Sequence, residues 1–94
     1  MYGTVAKTVV KAENRQKLRE LFESSMSSRE VPGFVTGYVL YENDSDVAWM
    51  VAVFQDRATY DANAADPAQD AEYQKYTALM DAEPEWHDGE IETF

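Results

Sequence analysis

Val47-Ala-Trp-Met-Val-Ala-Val-Phe54 runs for eight residues without one polar side chain, in a chain of 94 residues with a net charge of −10. Crossing a membrane takes ~20 apolar residues, so the run is too short for that, and its valines and aromatics favour a strand over a helical turn. Successive side chains of a strand point to opposite faces, so a strand that is apolar throughout is covered on both. A chain with so few elements covers only one face of its own sheet. The other face needs a second copy or a ligand.

On the upstream side, Gly33-Phe-Val-Thr-Gly-Tyr-Val-Leu-Tyr41 reads as the hairpin partner, joined through Glu42-Asn-Asp-Ser-Asp46. Earlier still, Val5 to Val10 is a β-rich run, after which the spacing turns helical from Ala12 to Met26. Leu18, Leu21, Phe22 and Met26 form its apolar stripe, opposite Arg15, Lys17, Arg19, Glu20 and Glu23. Pro32 and Gly33 end that helix. Downstream, Arg57 to Asn63 is helical, and Asp66-Pro67 supplies an N-cap and a first-turn proline for a separate or kinked helix over Ala68 to Asp81. Pro84 stops it, and Glu85 to Phe94 alternates as a last strand. The order β-α-β-β-α-β predicts one α+β domain over residues 1–94, with a ferredoxin-like antiparallel sheet and both helices on one face.

Eight basic against eighteen acidic side chains repel phosphate backbones and anionic lipid, so neither nucleic acid nor a membrane is an expected partner. The charge is uneven: residues 56–94 carry two basic and eleven acidic groups, the mark of a solvated face. With no cysteine there is no disulfide, thiolate metal site or cysteine nucleophile. One histidine among scattered carboxylates lacks the ligand spacing of a transition metal. No glycine-rich phosphate loop is present, and Ser24, Ser25, Ser27 and Ser28 form no nucleophile elbow. No cofactor or metal is therefore expected. The first residues, Met-Tyr-Gly-Thr-Val-Ala-Lys, lack the basic start and apolar core of a signal peptide, which makes the cytoplasm the default location.

Three stretches carry a resemblance: Val31-Pro-Gly-Phe34, Val53-Phe-Gln-Asp-Arg-Ala-Thr-Tyr-Asp-Ala-Asn-Ala-Ala-Asp-Pro-Ala-Gln-Asp-Ala-Glu-Tyr73, and Pro84-Glu-Trp-His-Asp-Gly-Glu90. Through them the chain resembles the antibiotic biosynthesis monooxygenase domain family over essentially its whole length. The resemblance implies a dimeric α/β barrel, a homodimer through the sheet face, and a pocket in each protomer between sheet and helices. It implies a small cofactor-independent monooxygenase acting on an aromatic or quinol-type molecule. Because relatives also include heme-degrading oxygenases and an isomerase, fold and family do not fix the reaction. A non-catalytic or stress-related module that binds a small hydrophobic ligand, and an isomerase of a small oxygenated metabolite, remain the alternatives.

The heme-degrading branch uses Asn on the first strand with Trp and His on the second helical region. Here Ala6 and Lys7, Asn63, and Tyr73 stand at those places. All three depart, which argues against heme. The quinone-forming oxygenases use Asn, Trp and Tyr to hold substrate, and the resemblance points to Asn63 and Tyr73 as catalytic candidates, to which His87 is added as the only side chain with an unperturbed pKa near neutrality. Trp49, Tyr60 and Tyr76 are the substrate-binding candidates. Each also has a plainer reading: Asn63 as a helix-end cap beside Asp66-Pro67, Trp49 as barrel packing, and Tyr73 with Tyr76 and Met80 as a core stripe. His87, the cheapest general base of the chain, reads equally as a surface residue. Were Asn63, Tyr73 and His87 to converge, a pocket between the sheet and the second helical region would hold them.

Overall fold

In the computed structural model, which describes residues 1–94, the apolar run is strand β3 (Val47–Phe54), flanked by β1 (Tyr2–Val9) and β2 (Phe34–Tyr41). Helix α1 (Ala12–Ser28) joins β1 to β2, and α2 (Arg57–Ala64) and α3 (Pro67–Thr77) lead from β3 to β4 (Glu85–Glu90). The sheet order is β2-β3-β1-β4 and every neighbouring pair is antiparallel, the ferredoxin-like arrangement that the element order predicts.

Register sorts the side chains into two faces. Ala48, Met50, Ala52 and Phe54 stand beside Thr8, Ala6, Thr4 and Tyr2, and this face takes the helices. Its closed core joins Val10, Leu18, Ala48 and Tyr76, with Leu21, Phe22, Val39 and Met80 packed around them. On the opposite face, Val51 lies between Val5 and Tyr38, and Trp49 between Lys7 and Leu40. Val5, Tyr38 and Leu40 are 36%, 64% and 57% exposed in the single chain. One face of the doubly apolar strand is thus covered and the other is open.

Several boundaries differ from the sequence reading. Strand β1 begins at Tyr2, three residues before the β-rich run, because pairing with β3 continues to Tyr2 opposite Phe54. Helix α3 ends at Thr77 and not Asp81: Leu79 and Met80 turn back to Tyr76 and Thr77, and the Asp81 N–H donates 2.8 Å to the Val9 carbonyl of β1. Strand β4 stops at Glu90, where its pairing with β1 runs out at Tyr2. Met26, assigned to the buried stripe of α1, is 47% exposed, and Ser25 is buried in its place because it serves polar partners on α3. The Asp66-Pro67 start holds as read, and α2 has an N-cap of its own in Asp56. The Asp56 carboxylate accepts from Thr59 N, and that of Asp66 from Ala68 N with Pro67 at the first helical position. Gly33 adopts φ +79°, and a Cβ there would collide with the Thr59 side chain, so this turn seats β2 against the start of α2.

Candidate functional site

Between the helix-bearing face of the sheet and the three helices lies a cavity of about 650 Å³. Its sheet floor is apolar: Val39, Met50, Ala52 and Phe54, with Gly37 and Thr4. Phe22 and Met26 of α1 form one wall, and Asn63 of α2 with Gln69, Tyr73 and Tyr76 of α3 the other. Trp86 closes the β4 side, its ring 5.8 Å from that of Tyr73. A second cleft, about 430 Å³, sits at the β2–β3 turn among Arg15, Tyr41 and the loop Glu42 to Asp46, and none of the candidate residues reaches it.

Of the catalytic candidates, the fold brings Asn63 and Tyr73 to the cavity and leaves His87 out. Alternation on β4 is the reason: Trp86 pairs with Ala6 on the helix side, whereas His87 pairs with the exposed Val5 on the open face. There its side chain is 60% exposed and its Nε2 lies 3.2 Å from Glu85 Oε1. The expected three-way convergence therefore fails at His87. Of the substrate-binding candidates, Tyr76 lines the cavity, but Trp49 does not. Trp49 points to the open face and donates its indole N–H to Glu42 Oε2 at 2.6 Å. Tyr60 is also displaced from the expected role, since it packs edge-on against Phe54 and Tyr2 and donates its hydroxyl to Asp88 at 2.9 Å.

Burial holds the Tyr76 phenol in its protonated, donating form. Burial pushes the Tyr76 hydroxyl above its ordinary range, and neighbouring Tyr60 is pushed up to about 12, by burial first and then by its bond to Asp88. Tyr76 donates 2.6 Å to Ser25, which donates 2.6 Å to the Glu72 carboxylate. This buried relay pins α1 to α3. The Ser25 bond is the largest cause holding Glu72 below its ordinary 4.5, with Lys75 adding to it. A lowered carboxylate stabilises the fold above its unfolded pKa, and that contribution is lost as pH falls through the folded value. The melting temperature of the native chain should thus drop faster on acidification below 4.5 than that of Ser25→Ala. Parallel melting curves would show that the relay holds no charge in place.

Sequence reasoning missed Arg29, Gln69 and Trp86. Arg29 donates 2.7 Å to Asn63 Oδ1 and 3.2 Å to Gln69 Oε1, and lies 3.7 Å from Asp66. Asn63 therefore does not cap with its side chain; only its backbone carbonyl closes the turn, accepting from Asp66 N. No group of three or more His, Asp or Glu side chains is placed to hold a metal ion. No helix is long and apolar enough to cross a membrane.

A four-stranded antiparallel sheet with helices on one face, roofing an apolar cavity, defines the class. The antibiotic biosynthesis monooxygenase family model matches residues 1–75, and the chain belongs to that family. Among solved structures it is similar to a monooxygenase from the gene ActVA-Orf6 of Streptomyces coelicolor in complex with nanaomycin D. The TM-score is 0.81 and the identity 21%, covering 99% of this chain and 88% of that one. It is similar also to a variant of SnoaB, a cofactor-independent oxygenase from Streptomyces nogalater, with a TM-score of 0.78, 21% identity, and coverage of 99% and 94%. A conserved protein from Methanosarcina mazei Go1 gives a TM-score of 0.73 at 20% identity, covering 97% and 92%. No curated protein matches the sequence. At these identities the solved structures show the fold alone.

Proposed function

We propose that the chain is a cofactor-independent monooxygenase of a flat aromatic or quinol-type molecule bound in the cavity. The observation that carries this reading is the cavity itself: an apolar floor of Val39, Met50, Ala52 and Phe54 facing a wall that carries the amide of Asn63 and the phenol of Tyr73. An activated methylene beside a phenolic or keto oxygen loses a proton to solvent and leaves an electron-rich anion, which can itself reduce oxygen; the proton is taken back when the peroxide forms. Electron transfer, radical recombination to a peroxide, and loss of water convert CH2 and O2 into C=O and H2O. The substrate supplies the electrons. What the protein must supply is a dry site that admits oxygen, with donors at the oxygen where negative charge grows. Asn63 and Tyr73 are the groups for that role. Solved structures of similar fold include proteins named as a monooxygenase and a cofactor-independent oxygenase, which supports the same reading.

The test is oxygen uptake by chelator-treated protein given 9-anthrone, a methylene-bearing tricyclic ketone. One O2 should be consumed per quinone formed. Uptake no faster than in protein-free buffer would refute the proposal.

One observation favours the binding-module alternative: burial pushes the Tyr76 hydroxyl up and His87 lies outside on the open face, so neither serves as a base toward the substrate. Binding of anthrone without oxygen uptake would establish that reading instead. An isomerase relying on His87 loses its base by the same geometry. We also infer that two copies pair through the open sheet face, because contiguous Val5, Tyr38, Leu40, Trp49 and Val51 leave an apolar patch of a kind that monomers rarely expose.

A further inference from the structure

An arginine side chain donates and never accepts. Because Arg29 donates to the oxygens of both Asn63 and Gln69, the amide orientation of each is fixed by chemistry and needs no choice between O and N. Both oxygens are turned toward one guanidinium, only 17% exposed and paired with Asp66. The group that each residue has left to offer as a donor is its NH2, and both residues line the cavity. The rim carboxylate of Glu23 is already engaged by Arg19 at 2.9 Å.

From this arrangement we infer that Arg29, Asn63 and Gln69 form an acceptor-reading subsite, at which Arg29 is a positioning residue. The subsite selects flat molecules that present a carbonyl or anionic oxygen to the α2–α3 wall. It rests on the cavity being the ligand site, as proposed above, but not on any chemistry there. A hydrocarbon of the same shape fills the floor equally well and leaves both amide donors unpaired, which is the costly arrangement in a desolvated site. Removing Arg29 frees each amide to rotate, so the wall then offers donors and acceptors alike and loses its preference.

Equilibrium dialysis of the full chain against 1,4-naphthoquinone and against naphthalene tests this, since neither compound consumes oxygen. The ratio of the two dissociation constants is the readout, because a general loss of cavity shape moves both. Wild type should favour the quinone, and Arg29→Met should lower that ratio about tenfold, the worth of roughly one net hydrogen bond. Arg29→Lys, which reaches one oxygen at a time, should fall between. If Arg29→Met fails to fold, Gln69→Leu serves, with a smaller drop in the same direction. An unchanged ratio in these variants, or no binding of the quinone by wild type, overturns the inference. An Arg29-dependent ratio in a protein that leaves anthrone unoxidised would sink the monooxygenase reading and keep this one.

Discussion

Leu40→Asp should turn the proposed dimer into a monomer. Leu40 is 57% exposed in the single chain, so an aspartate there meets water and the protomer keeps its fold. In a pair joined through the open face, two such carboxylates are buried without partners, one from each copy. The effective penalty is several kcal/mol per ion, enough to weaken association by about 10³-fold or more. Light scattering at micromolar concentration should give twice 10.7 kDa for the native chain and 10.7 kDa for the variant. Val53→Asp makes the contrast: with Val53 only 6% exposed in the protomer, that variant should unfold outright. A native mass of 10.7 kDa, or a Leu40→Asp dimer, would remove the sheet face as the interface.

Asn63→Ala should lower anthrone turnover by ~10²-fold, the usual cost of deleting one donor that meets a developing oxyanion. Its amide binds a neutral carbonyl modestly and an anion strongly, so kcat should fall far more than KM rises. Tyr73→Phe should cost less, since it leaves the ring against Trp86 and removes only the hydroxyl. A large rise in KM at unchanged kcat would reassign Asn63 to holding substrate alone.

How much of this was legible beforehand depends on distance along the chain. The unbroken run at Val47 to Phe54 announces a strand with two apolar faces, and Asp66-Pro67 announces a helix start, because both signals are local. Parity on the last strand is different. Alternation says that Trp86 and His87 face opposite ways but not which one faces the helices, and that is settled by pairing with Ala6 and Val5 some eighty residues earlier. The wall of the cavity is more remote still. Ser27 to Gly33 reads locally as a helix terminator, and nothing in it says that Arg29 will reach Asn63 and Gln69, 34 and 40 residues on. Tyr60 and Trp49 misled for a related reason: an aromatic of the right type at a motif position says nothing about which face of its element is roofed.

The most direct test of the cavity as the functional site is an anaerobic titration with 9-anthrone followed by amide and side-chain NH2 resonances, since without oxygen the substrate stays intact. Shifts should centre on Val39, Met50 and Ala52 of the floor and on the side-chain NH2 groups of Asn63 and Gln69. Shifts confined to the open face, at Val5, Leu40 and His87, or none at saturating anthrone, would contradict it.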